Sequence, residues 1–272
     1  MTTIPRALGR ATEQLGDISD TPRLDAELLM AAALGIGRDR LILDDPRGEA
    51  PPAFADLVDR RRAGEPVAYI TGQRAFWTID LEVGPGALVP RPDSETLIAA
   101  AVEYFETPPR RILDLGTGPG TLLLAALDEW PEATGLGVDA SEAALAYARR
   151  NAQRMGLDSR AEFRIGDWAQ GIDERFDLIL CNPPYVAEGA ETGPGVADFE
   201  PAEALFAGPE GLEEYRRLAP QIPGLLAPAG LAAIEIGFDQ SESVPALFEQ
   251  QGLSVRLAND LAGRPRALLI TG

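Results

Sequence analysis

The chain has 272 residues, of which 45% are hydrophobic, so it can bury a full core in one large or two smaller domains. It contains no lysine and no histidine, which excludes a histidine general base, a Schiff-base lysine, histidine metal ligands and a Walker-type phosphate lysine. The net charge of −19 opposes a broad phosphate-binding surface and favours a protein partner with a basic segment.

The composition predicts a cytoplasmic protein that has neither a membrane segment nor a metal site. No apolar run approaches the ~18 residues of a membrane span. The stretch from Met1 to Arg10 lacks the apolar core of a signal peptide. Cys181 is the single cysteine and falls inside a predicted strand, so we expect no disulfide framework and no cysteine metal cluster.

Residues 1–73 are predicted to form a small helical domain, because their apolar pattern contains no strands. Thr21-Pro22 followed by Asp25 is typical of a helix start, and Leu24, Leu28 and Leu29 share one face of the helix that follows. The predicted helices are 6–15, 21–34, 38–43, 51–63 and 67–70.

Residues 74–90 are predicted to form a β-hairpin linker between two domains. Residues 75–83 alternate as a strand does, Gly84-Pro85-Gly86 turns the chain, and Leu88-Val89 returns as a second strand. The segment Pro90-Arg91-Pro92-Asp93-Ser94-Glu95 then opens a helix that continues to Phe105, with proline in its first turn and acids favoured by the helix dipole.

Residues 91–272 alternate between strands and helices, which predicts an α/β domain with a doubly wound, mostly parallel, seven-stranded Rossmann-like sheet. The predicted strands are 111–115, 134–138, 161–165, 176–181, 231–236, 254–257 and 267–270. The predicted helices are 121–129, 142–155, 212–226 and 241–251. Residues 186–211 form a long loop, and long loops in compact domains are usually functional when they are ordered.

A glycine-rich turn runs from the first of these strands into the following helix. Its residues are Asp114-Leu115-Gly116-Thr117-Gly118-Pro119-Gly120. The first competitor is a dinucleotide site, but that fingerprint needs Gly-x-Gly-x-x-Gly, and here the third glycine comes one residue too early. A compact Gly-x-Gly-x-Gly turn after an acidic strand end resembles the methyltransferases that use S-adenosylmethionine (SAM). We therefore predict that residues 116–120 bind SAM.

Acidic and aromatic residues end the next two predicted strands. Asp139 can accept from both ribose hydroxyls, while Asp167 and Trp168 can supply an acceptor and an aromatic wall for adenine. Acids at strand ends are often mere turn formers. Together with Asn182, however, these residues fall at the carboxyl ends of four successive strands, where open parallel sheets bind ligands. The combination predicts a SAM site.

Asn182-Pro183-Pro184-Tyr185 follows the apolar strand 176–181. The prolines stiffen the backbone and supply no N–H, which leaves the Asn182 oxygen and the Pro183 carbonyl as acceptors beside the Tyr185 ring. Such a group suits a planar –NH2 substrate and resembles the motif of amino-methyltransferases. The alternative is that Pro-Pro merely ends a strand. The four residues are predicted to bind substrate, and Asn182, Pro183 and Tyr185 to act in catalysis.

Several further segments, taken together with the two motifs, resemble the release-factor glutamine methyltransferases over nearly the whole chain. They are residues 65–72, 89–95, 199–201 with 204–205, 208–212, 235–237, and 260–264 with Arg266. Pro119 stands where that family usually has serine. The resemblance implies methyl transfer from SAM to the glutamine nitrogen in the Gly-Gly-Gln motif of peptide chain release factors 1 and 2. It also implies that residues 90–95 close near the methionine end of SAM and that the helical domain grips the release factor.

Two other functions remain open from the sequence. A DNA adenine-N6 methyltransferase uses the same tetrapeptide on a flipped base, but it needs a basic groove and a target-recognition insert, and neither is apparent at a net charge of −19. A SAM-binding interaction module that has lost catalysis is the second alternative, and the intact Asn182–Tyr185 motif argues against it. No direct nucleic-acid partner is expected.

Overall fold

The computed structural model describes residues 2–44 and 46–272, so Met1 and Asp45, both inside the predicted 1–73 domain, lie outside the described residues. The described chain forms two compact units. The smaller contains residues up to Gln73 together with Glu191–Glu200, and the larger contains Arg74–Ala190 and Pro201–Gly272. The segment 191–200, which follows the Asn182–Tyr185 motif, is therefore part of the helical unit.

The smaller unit is helical and has its own apolar core. Its helices are α1 (Ile4–Leu15), α2 (Pro22–Leu34), α3 (Arg38–Asp44), α4 (Ala53–Arg62), α5 (Val67–Thr71) and the short α9 (Val196–Phe199). Pro22 occupies the first turn of α2, and Gly35 ends that helix in the left-handed conformation. Leu15, Leu29 and Met30 are fully buried in this core.

The segment 191–200 meets the loop after α4 at very short range. Gly195 has φ +75°, and a Cβ added there would lie 1.9 Å from the Gly64 carbonyl oxygen, so only glycine fits. Phe199 lies beside Gly64 as well.

The hairpin differs from the prediction, which placed one strand at 75–83 and a second at 88–89. Strands β1 (Gln73–Phe76) and β2 (Ile79–Glu82) turn at Trp77-Thr78 instead. Trp77 takes a left-handed backbone (φ 52°), and its N–H donates to Glu95 Oε1 at 2.9 Å. Its indole Nε1 also donates to Glu129 Oε2 at 3.1 Å. These distant carboxylates stabilise a turn that the local alternating pattern conceals.

The larger unit is built on a mostly parallel sheet, which confirms the predicted fold class. In the described residues the sheet has the strand order β5-β4-β3-β6-β7-β9-β8, with β9 antiparallel to its neighbours. The strands are β3 (Arg111–Leu115), β4 (Thr134–Asp139), β5 (Ala161–Ile165), β6 (Phe176–Cys181), β7 (Leu226–Glu235), β8 (Ser254–Asn259) and β9 (Pro265–Thr271). Its helices are α6 (Glu95–Tyr104), α7 (Thr121–Glu129), α8 (Glu142–Met155), α10 (Glu213–Leu218), α11 (Ile222–Leu225) and α12 (Ser243–Glu249).

The helix predicted at 212–226 is two short helices, α10 and α11. Pro220 and Pro223 cause the difference, because proline lacks the N–H of a continuous helix and clashes with the preceding turn. Residue 226 already begins β7, which is longer than predicted. No helix in the described part of the chain is both long enough and apolar enough to cross a membrane.

The sheet order brings the sequence motifs together. Strand β3, which leads into the glycine turn, lies between β4 and β6, and Leu115 pairs with both Val138 and Cys181. Parallel strands end at the same edge, so Asp139 and Asn182 follow neighbours of the strand that carries the turn. On the other side of β6, Cys181 pairs with Ile234, which places Glu235 of β7 beside Asn182.

Candidate functional site

A cavity of about 400 Å³ lies at the carboxyl ends of β3, β4, β5 and β6, entirely within the larger unit. Predicted site residues that line it are Gly116, Thr117, Gly118, Pro119, Asp139, Asp167, Trp168, Asn182 and Pro184. Gly120, Pro183 and Tyr185 lie in the same turns but are not part of the lining. Residues from 86–94, 121–122, 138–144 and 201–217 also line the wall, among them Ser94, Glu203 and Glu214.

The glycine turn brings its backbone close to both other motifs. Gly116, Gly118 and Gly120 all have positive φ values, of 72°, 57° and 87°. A Cβ added at Gly116 would lie 3.2 Å from the Trp168 ring and 3.8 Å from the Asn182 carbonyl oxygen. The turn, the aromatic wall and the first residue of the tetrapeptide therefore meet at one point.

Asp114, at the end of β3, is buried in the floor of the cavity and is only 1% exposed. Its Oδ2 accepts from the Thr117 hydroxyl at 2.6 Å and from the Leu123 N–H at 3.1 Å. Its Oδ1 has no hydrogen-bond partner among the described residues. Burial raises the pKa of Asp114 to about 7. A cationic group in the cavity would satisfy the free oxygen.

Asp139 is held in place by the backbone around it. Its Oδ2 accepts from the Gly118 N–H at 2.7 Å and its Oδ1 from the Ser141 N–H at 2.8 Å. Burial raises its pKa, and the negative charge of Glu203, from the loop above, raises it further. Each carboxylate oxygen keeps spare acceptor capacity, so the side chain can still bind two hydroxyls.

Asp167 and Trp168 are tied to helix α10. Both Asp167 oxygens accept from Arg217 Nη2, at 2.5 and 2.6 Å, and the Asp167 side chain is exposed. The Trp168 Nε1 donates to Glu214 Oε2 at 2.7 Å, and Trp168 has a strained φ of 51°. Trp168 is therefore a fixed wall of the cavity, whereas the acceptor predicted at Asp167 is already engaged by a cation.

The Asn182–Tyr185 tetrapeptide is held in place by hydrogen bonds to Ser94 and Glu235. Asn182 Nδ2 donates to the Ser94 hydroxyl oxygen at 3.2 Å, Pro183 is buried, and the Tyr185 hydroxyl donates to Glu235 Oε1 at 3.2 Å. Burial raises the pKa of the Tyr185 hydroxyl well above its usual value, so it remains a donor.

Glu235 contacts the tetrapeptide from outside the cavity lining, and no local sequence pattern indicates this contact. It is 0% exposed, and burial raises its pKa to about 7 although a side-chain hydrogen bond from Ser94 and the positive charge of Arg266 lower it. The sequence showed only that residues 235–237 match the family pattern. Partners at positions 94, 185 and 266 lie too far along the chain for a local pattern to join them.

Each of the two units contains a region that matches a known protein family. A PrmC N-terminal domain family model matches residues 6–72, and a methyltransferase domain model matches residues 107–234. The chain is 45% identical over 256 residues to the release factor glutamine methyltransferase of Rhodospirillum rubrum, covering 92% of this chain and 79% of the relative. It is 42% identical to that of Caulobacter vibrioides over 276 residues, covering 98% and 96%.

Solved structures share the fold. A methyltransferase from Pyrococcus furiosus has a TM-score of 0.53 at 20% identity, covering 79% of this chain and 97% of its own. A T. thermophilus 16S rRNA methyltransferase, solved with AdoMet and guanosine, has a TM-score of 0.52 at 20% identity, covering 72% and 48%. At these identities the likeness establishes the fold alone.

Proposed function

The chain belongs to the family of release factor glutamine methyltransferases, and from this premise we propose that it methylates the side-chain nitrogen of the glutamine in the Gly-Gly-Gln motif of peptide chain release factors 1 and 2. The methyl donor is SAM, as the methyltransferase domain implies. The single observation that carries the proposal is that one cavity is lined by both the glycine turn and the start of the Asn182–Tyr185 motif.

The cavity residues fit SAM. The free, buried Asp114 Oδ1 suits the ammonium group of its methionine part, and the preorganised Asp139 suits the ribose hydroxyls. Trp168 supplies a flat wall for adenine. Arg217 already donates to both Asp167 oxygens, so Asp167 can accept from the adenine amino group only through its remaining lone pairs. When bound, SAM supplies an electrophilic methyl group on a sulfonium centre.

Asn182, Pro183 and Tyr185 are proposed to bind and orient the substrate amide. An amide nitrogen is a poor nucleophile because its lone pair is delocalised, so orientation and charge stabilisation matter more than a strong base. The Asn182 side-chain oxygen and the Pro183 carbonyl accept the two N–H bonds, and the half-buried Tyr185 packs on the amide plane. This chemistry requires neither histidine nor lysine, and the chain has neither.

The helical unit is proposed to bind the body of the release factor. Its match to the PrmC N-terminal domain supports this role. The net charge of −19 of the whole chain favours a partner with a basic segment. A release factor acts in translation, which is consistent with the cytoplasmic location expected from the sequence.

The decisive experiment incubates the purified protein with SAM and a release factor and examines the Gly-Gly-Gln peptide by mass spectrometry. We expect one added methyl group, which disappears when the glutamine is replaced by alanine. A DNA duplex with accessible adenines is the parallel substrate. An unmodified peptide beside methylated DNA would favour the adenine methyltransferase, and SAM binding without transfer to either substrate would favour a non-catalytic module.

A further inference from the structure

Glu235 contacts two residues that the substrate site depends on, although it does not line the cavity itself. It ends β7, next to the end of β6, where Asn182 begins the tetrapeptide. Its Oε1 accepts from the Tyr185 hydroxyl at 3.2 Å, and its Oε2 has no hydrogen-bond partner among the described residues. A side-chain hydrogen bond with Ser94 lowers the Glu235 pKa. Ser94 in turn accepts from Asn182 Nδ2 at 3.2 Å. One buried carboxylate therefore reaches Tyr185 directly and Asn182 through a hydroxyl group.

The direction of each hydrogen bond follows from the charge of Glu235. An ionised carboxylate can only accept, so the hydroxyl groups of Tyr185 and Ser94 must both donate to it. Ser94 has a single hydroxyl hydrogen, so its oxygen must accept from the Asn182 amide group. The Asn182 –NH2 therefore faces Ser94, and its Oδ1 remains available as an acceptor at the cavity.

Protonation of Glu235 removes that constraint. A neutral carboxyl group can donate to Ser94, which can then donate to Asn182 and allow the amide to rotate by half a turn. Asn182 would then present –NH2 to the –NH2 of the substrate, a contact between two donors. Acceptors at the cavity are what the proposed glutamine substrate requires, so the ionised state of Glu235 is the competent one.

We propose that ionised Glu235 is a positioning residue that fixes Asn182, through Ser94, with its oxygen toward the substrate and fixes the Tyr185 ring directly. The proposal rests on the proposed function, because it assigns a purpose to the orientation of a substrate amide. Glu235 acts through these neighbours and does not touch the reacting atoms.

Several charged and titratable groups surround Glu235, and the ionised state depends on all of them. Asp93, in the turn beside Ser94, raises the Glu235 pKa, and Arg266 of β9 lowers it. Arg266 shares its charge with Asp93 at 3.0 Å and with Asp260 at 3.7 Å. The remaining neighbours are the neutral Tyr185, the neutral Tyr215, which donates to the Glu235 backbone carbonyl, and the buried thiol of Cys181.

This environment predicts how activity depends on pH. The pKa of Glu235 is raised to about 7, so the carboxylate is largely protonated below that pH and ionised above it. We expect kcat to fall as the pH decreases through about 7. Because the effect acts on substrate orientation, the fall should appear in kcat measured at saturating SAM, where a change in SAM affinity does not contribute.

The central variant is Glu235→Gln, which keeps the volume of the side chain and loses its charge. We expect kcat with release factor to fall about 10- to 100-fold, the range typical when the supporting partner of a site residue is lost. The fall in kcat near pH 7 should also disappear. The exposed Glu249 provides a matched control, since Glu249→Gln removes one charge away from the cavity and should retain both the rate and the pH profile.

A second pair of variants separates orientation from structure. Asn182→Asp presents acceptor oxygens in either rotamer. Asn182→Asp combined with Glu235→Gln should therefore be more active than Glu235→Gln alone, and its net charge equals that of the original protein. A purely structural role for Glu235 predicts the opposite, a further loss in the double variant, and that result would overturn the proposal.

Ser94→Ala tests the relay without changing a buried charge. It should lower kcat and leave SAM affinity within about twofold, and unchanged kcat would contradict the proposal even if Glu235→Gln fails to fold.

Carboxyl-carbon NMR of Glu235 provides a readout that is independent of turnover. The pKa of Glu235 should rise in Ser94→Ala, because a donor to the carboxylate is lost. An unchanged pKa would contradict the relay. No release-factor methylation by the unaltered protein, with the NMR result as expected, would refute the proposed function and leave the hydrogen-bond relay intact.

Discussion

The site has two halves, a proposed cofactor half inside the cavity and a proposed substrate half that extends beyond the cavity lining, and they are built in different ways. The cofactor half comes from consecutive residues, 114–120, and from acids at the ends of neighbouring strands, and backbone N–H groups hold its geometry. The substrate half comes from positions 94, 182, 185 and 235, which only the fold brings together. Local sequence therefore specifies the proposed SAM site, whereas tertiary structure specifies how the proposed substrate site would present the amide.

The strongest test of this division removes the acceptor of the substrate half. Asn182→Ala should lower kcat by about 10²- to 10³-fold, the loss typical when one preorganised polar group is removed from a reacting centre. SAM affinity, measured by calorimetry, should be retained in large part because Asp114 and Asp139 are untouched. Equal losses in turnover and SAM affinity would show that the two halves do not act separately.

In the cofactor half, the proposed contact between the buried Asp114 and the ammonium group of SAM predicts that SAM affinity depends on pH. Burial raises the pKa of Asp114 to about 7, and a bound ammonium group would favour the ionised form. Below pH 7 the affinity should therefore decrease by up to about tenfold per pH unit. Calorimetry should detect proton release on binding near neutral pH. Asp114→Asn should remove this dependence, and a pH profile that persists in this variant would assign it to another group.

The sequence predicted the helices and strands around the glycine turn well because their signals are local. The helices 121–129 and 142–155 and the strands 111–115, 161–165 and 176–181 begin and end as expected. Glycines indicate positive φ values and acids indicate strand ends, and neither signal depends on residues far away in the sequence.

The break in the helix predicted at 212–226 has a local cause, Pro220 and Pro223. The hairpin turn and Glu235 were missed for a different physical reason, which is a partner far away in the sequence. The Trp77 turn depends on Glu95 and Glu129, and the alternating residues around it are typical of an uninterrupted strand. The local sequence shows Glu235 only as a residue at the end of an apolar strand. Its contacts with Ser94 and Tyr185 exist only in the folded structure. At Asp167 the sequence predicted an acceptor, and nothing local indicates its pairing with Arg217, fifty residues further on.

Substitutions at two glycines of the turn separate the effect of backbone strain from the effect of the close approach to Trp168. Gly116→Ala and Gly118→Ala both place a side chain at positive φ, which costs about 1–2 kcal/mol. At Gly118 the added Cβ meets nothing within 4 Å, whereas at Gly116 it also presses on the Trp168 ring at 3.2 Å. We expect the SAM dissociation constant to rise about fivefold for Gly118→Ala and at least tenfold for Gly116→Ala. Equal effects would mean that backbone strain alone matters and that the close approach to Trp168 does not.

The smallest expected effect comes from Asp167, whose place at a strand end resembles that of Asp139. Asp139 takes its hydrogen bonds from fixed backbone N–H groups, so its carboxylate is already oriented for a ligand. Asp167 is exposed and its charge is paired with Arg217, and exposed pairs contribute about 1 kcal/mol or less. Asp167→Asn should therefore weaken SAM binding about twofold, and Asp139→Asn about tenfold, as measured by calorimetry. If Asp167→Asn has the larger effect, Arg217 must release Asp167 when SAM binds, and adenine recognition would then depend on movement of α10.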